Sequence, residues 1–141
     1  MKFAFVFLLS GAFALNWVSA HAVCDIKGPF EIDSKKAYSG ASTKGASANN
    51  HGCFDAPSDG YIVEGTIAAE LGSHGGKANR CELFDVRSKI ATVTVNGHPV
   101  KFKAIQHFCF NAHAETGSGV VNKYKTAWTT CHVTYEECEL Q

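Results

Sequence analysis

Six cysteines, Cys24, Cys53, Cys81, Cys109, Cys131 and Cys138, are spread along a chain of 141 residues, and they constrain its fold more than any other feature. An even number of cysteines in a short exported chain reads as a disulfide framework, here three bridges with no free thiol. Such bridges persist in an oxidising compartment, and each typically stabilises a small domain by about 2–4 kcal/mol. A short chain with 13 glycines buries only a modest core, so it needs that help. Cys24 lies near one end and Cys131 and Cys138 near the other, so a bridge from Cys24 to either of them would tie the termini together.

The N-terminus supplies the export half of this reading. Lys2 is a positive head, residues 3–15 form an apolar run, and Val18 and Ala20 occupy the small-residue positions of a cleavage site. The run is shorter than the roughly 20 residues that a helix needs to span a bilayer. Residues 1–20 are therefore expected to be a signal peptide, and residues 21–141 a single secreted, extracellular domain. Cleavage after Ala20 leaves His21 as the first residue, and an equally acceptable cut after Ala22 leaves Val23. Loss of Lys2 with the leader leaves 12 basic against 13 acidic side chains. That balance argues against a broad electrostatic grip on nucleic acid, so DNA is not expected as a partner and RNA hardly more so. No basic amphipathic helix is visible, which argues against a membrane surface. No Asn-x-Ser/Thr sequon occurs, so N-glycosylation is not expected.

Residues 34–52 are almost all Ser, Gly, Ala, Lys, Asn and Thr, and carry a short echo, Gly40-Ala41-Ser42 and Gly45-Ala46-Ser47. Such a stretch offers little apolar surface to offset its ordering entropy, and is expected to be a flexible loop. The rest reads as strand. Residues 61–69 (YIVEGTIAA) form one candidate. Asn96-Gly97 is the preferred pair for a two-residue type I′ hairpin. Folding about it sets Val95 opposite His98, Val93 opposite Val100 and Ala91 opposite Phe102, with Thr94 facing Pro99 and Thr92 facing Lys101 on the other face. Pro99 then falls in a non-hydrogen-bonded pair and marks a sheet edge. The alternation slips near Ala104 and Ile105, which implies a bulge. Gly117-Ser118-Gly119 marks a turn, and residues 120–135 read as one long strand or two short ones. Helix signals are weak, with residues 66–71 able to form a turn or two before Gly72. The expected fold is mainly β or α+β, a small antiparallel sheet domain stapled by three disulfides.

Histidine is the residue to weigh for chemistry, with seven in the chain. His107, Cys109 and His113 lie close together, and Cys131-His132 could approach them across a hairpin to complete four zinc ligands. Oxidation claims thiols first in an exported chain, so a zinc site is not expected. If cleavage follows Ala20, His21 becomes the free N-terminus. In that one residue the chain resembles the copper-dependent lytic polysaccharide monooxygenases and their copper-binding relatives. The resemblance implies copper held by the amine and imidazole of His21 and by a second histidine from among His51, His74, His98 and His107. The cut after Ala22 would remove that site, and no cofactor is expected.

Residues 73–86, SHGGKANRCELFDV, resemble the loop-and-strand segment of the guanyl-specific fungal ribonucleases at Ser73, Lys77, Asn79, Glu82, Phe84 and Asp85. The resemblance implies that Asn79 and Glu82 recognise a guanine base, and that Cys24 bridges to a late cysteine. The departures matter. Gly76 stands at the position of that family's catalytic histidine, His74 at that of its neighbouring tyrosine, and no glutamate follows about ten residues after Phe84. In-line transfer needs a base and an acid flanking the phosphate, and this segment supplies neither, so no catalytic residue is assigned.

No Ser-His-Asp order, Walker loop or nucleotide fingerprint is present. Taken whole, the chain resembles the small secreted cysteine-rich effector-type proteins of plant-associated fungi in its leader, its length, its six spread cysteines and its lack of catalytic signatures. That resemblance implies a binding protein with a host protein as partner, one that interferes with its target, with suppression of host immunity as one outcome. It assigns no binding residues. The alternative is an enzyme-derived domain, either a catalytically decayed ribonuclease-like fold or a small copper protein using His21.

Overall fold

Threonine, valine, tyrosine and phenylalanine favour strand, and the described residues form strands and their connections. The computed structural model describes residues 5–9, 20–40 and 44–140, with side chains over 22–40 and 44–139. The elements are β1 (Phe5–Leu9), β2 (Ala20–Asp33), β3 (Ala37–Tyr38), β4 (Ser47–Asp55), β5 (Gly60–Ile62), β6 (Ala68–Gly75), β7 (Ala78–Val95), β8 (His98–Glu115) and β9 (Thr126–Leu140). All pairings among them are antiparallel. No helix occurs among the described residues, so of the two expected classes the all-β one holds.

Two strands organise the rest. β8 carries β4 on one side and β7 on the other; β9 carries β2 on one side and β6 on the other. β5 pairs with both β8 and β9 and hinges the two layers together, while β3 adds to the start of β9. β1 pairs with the start of β2 and lies within the segment read as a leader.

The alternation of β8 aims Phe108, Phe110, Ala112 and Ala114 inward, and that of β9 aims Ala127, Thr129, Cys131, Val133 and Tyr135 toward them. Ile32 and Ile62 close the gaps. Phe108 sits at the centre, with ring centroids 5.1 Å from Phe54, 5.2 Å from Tyr135 and 5.9 Å from Phe110. Aromatic pairs at such spacing add about 0.5–1.5 kcal/mol each beyond the area they bury.

All six cysteines are bridged, as expected: Cys24–Cys138, Cys53–Cys109 and Cys81–Cys131. Of the two partners open to Cys24, register selects Cys138, which lies directly opposite it in the β2–β9 pair. This bridge spans 114 residues of sequence, and loop-closure entropy for a ring of that size corresponds to about 4–5 kcal/mol. Cys81–Cys131 ties β7 to β9 across the two layers.

The hairpin at Asn96-Gly97 has the expected register throughout, with φ of 52° and 76° at its two central residues. Pro99 lies on a sheet edge, since only β7 pairs with β8 over residues 98–104 among the described residues. The expected bulge is also present: Arg87 pairs with His107 and Ser88 with Ile105, leaving Gln106 as the extra residue on β8. A second irregularity, at Asp85 and Val86 on β7, puts Asp85 at a φ of 51°.

Three expectations need correction. Residues 34–52 are not one loop. Ala37–Tyr38 and Ser47–Asp55 are strands, Ser34, Ala37 and Ser39 are buried, and residues 41–43 lie outside the described residues. Composition misled here because β4 is held by its ladder to β8 more than by side-chain burial. Its small residues also allow close approach: a Cβ at Gly52 would lie 3.0 Å from the Ile32 side chain. Residues 61–69 are not one strand either. The chain leaves the sheet after Ile62, turns with Gly65 at a φ of 88° and Thr66 Oγ1 donating to the Val63 carbonyl at 2.7 Å, and resumes at Ala68. Residues 66–71 therefore form no helical turn, because pairing with β9 claims the backbone from Ala68 onward. In the 120–135 stretch a single strand begins at Thr126 and runs on to Leu140.

Candidate functional site

From His107 onward the even-numbered residues of β8 fill the core and the odd-numbered ones line its outer face: His107, Cys109, Asn111, His113 and Glu115. Register sets a β4 residue beside each, in the order Asp55, Cys53, His51, Asn49 and Ser47. On the other side β7 contributes Phe84, Glu82, Arg80 and Ala78 opposite Cys109, Asn111, His113 and Glu115. Three adjacent strands thus build one polar face with histidines at both ends and a disulfide between them.

At the upper end the His113 ring is largely buried. Its Nδ1 lies 2.6 Å from Asn49 Oδ1, which also accepts from Asn111 Nδ2 at 3.1 Å. An amide oxygen can only accept, so Nδ1 carries a proton and Nε2 presents its lone pair in the neutral ring. Nε2 makes no hydrogen bond among the described residues, and its nearest carboxylate oxygen is Glu115 Oε1 at 3.5 Å. Arg80 bonds Glu82 and reaches Glu115 Oε2 at 4.0 Å.

At the lower end each nitrogen of His107 meets a carboxylate: Nδ1 lies 2.6 Å from Asp55 Oδ1 and Nε2 lies 3.3 Å from Asp85 Oδ2. Arg87 grips Asp85 with two hydrogen bonds, at 3.0 and 2.8 Å. Those bonds hold the Asp85 carboxyl below the usual carboxylate range, and the charges of Arg87 and His107 add to the effect. The positive φ of Asp85 at its bulge turns this side chain onto the outer face. Cys109 Sγ lies 3.2 Å from His107 Nε2, within the bridge to Cys53.

The residues singled out from sequence are only partly brought together. His107, Cys109 and His113 share this face, but Cys109 is bonded to Cys53 and Cys131 to Cys81, so neither sulfur is available as a thiolate ligand. His132 points outward from the other layer, between Glu31 and Glu70 in register, so the histidines and cysteines weighed for zinc do not converge. Asn79 and Glu82 lie on opposite faces of β7. The Asn79 amide, turned so that its nitrogen faces them, donates to the carbonyls of Gly75 at 2.9 Å and Trp128 at 2.8 Å, which secures the β6–β7 turn to β9. His74 bonds the Gly72 carbonyl through Nδ1, and His98 stands at the hairpin tip. The side chain of His21 lies outside the described ones.

Asn49, Asp55, Arg80, Arg87 and Glu115 were not singled out from sequence, and Asp85 only as a match to the ribonuclease segment. The i, i+2 spacings Arg80-x-Glu82 and His113-x-Glu115 were a usable signal, since alternation puts such pairs on one face of a strand. No family model, no curated protein and no solved structure matches this chain.

Proposed function

We propose that this chain is an exported, effector-type binding protein that engages a host protein through the outer face of the β4–β8–β7 layer. The carrying observation is the composition of that face. Arg80 and Arg87 alternate with Glu82, Glu115, Asp55 and Asp85 beside half-exposed Phe84. Interleaved charges of both signs give no continuous positive track for a phosphate backbone. They suit instead a protein surface of complementary pattern, where charge sets specificity and encounter rate. The face is also pre-organised, because a disulfide and in-plane hydrogen bonds fix its side chains before any partner arrives. Three disulfides are typical of extracellular proteins and support the export reading of residues 1–20. The test is capture from a candidate host with the purified protein and an Arg80→Glu, Arg87→Glu variant. One host protein bound by the parent and lost by the folded variant supports the reading; equal capture by both sinks it.

A second reading rests on His113, whose Nε2 makes no hydrogen bond among the described residues and stands beside Glu115, which Arg80 reaches in turn, a set capable of acid–base chemistry in an enzyme-derived domain. The geometry argues against turnover of RNA. His113 and Glu115 lie side by side, not on opposite sides of a space for phosphate, and the Arg80 guanidinium is already engaged by Glu82. Incubation with a guanosine-containing dinucleoside phosphate decides the matter. Turnover abolished by His113→Ala would make the chain an enzyme.

A further inference from the structure

The three disulfides differ in one respect that bears on reactivity. Cys24, Cys138, Cys131 and Cys109 are buried at 1 % exposure or less, and Cys81 is partly covered, whereas Cys53 is exposed. Cys53 sits on β4, which among the described residues has only β8 beside it in the sheet, so an incoming group can approach it from the open strand edge. Its partner Cys109 has His107 Nε2 at 3.2 Å. Neither of the other bridges has a histidine placed this way among the described residues.

We propose that Cys53–Cys109 is a thiol-exchange site that accepts low-molecular-weight thiols, with His107 assisting the departure of Cys109. The inference is independent of the partner proposed above. A thiolate attacks Cys53 Sγ, a new S–S bond forms there, and the Cys53–Cys109 bond breaks with its electron pair passing to Cys109 Sγ. The imidazolium form of His107 lies against that sulfur, stabilises the thiolate and can transfer its Nε2 proton to it. A second thiolate then attacks the sulfur of the bound thiol, leaving Cys53 reduced and releasing a disulfide of two small thiols.

The ring is held between two carboxylates. Asp55 on β4 fixes Nδ1–H, Asp85 on β7 faces Nε2, and the Arg87 charge is directed at Asp85 through paired hydrogen bonds. Exchange runs faster as the leaving thiol becomes a better thiolate, and an adjacent imidazolium is among the strongest means of making one.

The experiment treats purified protein, without denaturant, with reduced glutathione at several pH values, followed by acid quench, alkylation and peptide mapping. The expected first product carries glutathione on Cys53 and the alkyl label on Cys109, with the other two bridges intact. Expressed per glutathione thiolate, the wild-type rate should fall as pH rises. His107→Gln should slow exchange by about tenfold and flatten that profile. Glutathione on Cys109, another bridge opening as fast, a flat wild-type profile or an unslowed variant would each overturn the proposal. Should the variant not fold, the wild-type map and profile decide alone.

Discussion

Two glycines separate conformational strain from steric overlap, and comparing them is a stringent check on the fold. Gly76 and Gly97 both have positive φ, at 119° and 76°, where a side chain is disfavoured by about 1–2 kcal/mol. Their surroundings differ. At Gly97 nothing lies within 4 Å of an added Cβ. At Gly76 an added Cβ would meet the Ala127 Cβ at 2.5 Å and the Glu115 carbonyl oxygen at 2.8 Å. Neither neighbour can move freely, because Ala127 is fully buried on β9 and Glu115 ends the ladder of β8. Overpacking of this kind adds about 1–3 kcal/mol. Gly97→Ala should therefore cost about 1 kcal/mol, and Gly76→Ala about 2–5 kcal/mol. Urea unfolding with the disulfides intact reads both as shifts in midpoint at unchanged slope. Equal shifts for the two variants would refute the placement of the β6–β7 turn against β9.

Three further outcomes are expected. Alkylation of unreduced protein should add no label by mass spectrometry, and a single modified cysteine would break the three-bridge framework. Burial pushes the Glu137 carboxyl above its usual range, with Glu139 and Asp25 adding and Lys27 opposing. A raised folded value means that the group favours the fold only when protonated, a contribution complete below about pH 4.3 and lost as pH rises through the folded value. Glu137→Gln should thus raise the melting temperature at pH 7 and lose that advantage in acid. Gly97→Val should destabilise by about 1–2 kcal/mol, because a β-branched residue resists the hairpin turn more than alanine does.

What could be read from the sequence was what neighbours in sequence decide. Asn96-Gly97 sets its own turn, and the alternation on either side sets the register, so that hairpin was legible to the residue. β4 was not, because Ser47-Ala48-Asn49-Asn50-His51-Gly52 has no apolar rhythm and becomes a strand only against β8. The partner of Cys24 was open for the same reason: only the β2–β9 register distinguishes Cys138 from Cys131, which lies opposite Ile32. In the site, the common parity of His107, Cys109 and His113 on one strand was visible from spacing. That Asp85 joins them was hidden, since a bulge with positive φ removes a residue from the parity of its strand. Asp55 and Asn49 arrive by pairing between distant segments, which no local pattern records.

The Cys24–Cys138 bridge makes almost the whole domain a closed covalent ring. A protease that cuts once anywhere between those two residues opens the ring but releases nothing, since both new ends remain joined through the two sulfurs. The nicked chain still carries β2 and β9 bonded to each other, and Cys81–Cys131 still links the opposite layer to them. In a protease-rich setting a first cut is therefore structurally silent, and the polar face outlives it.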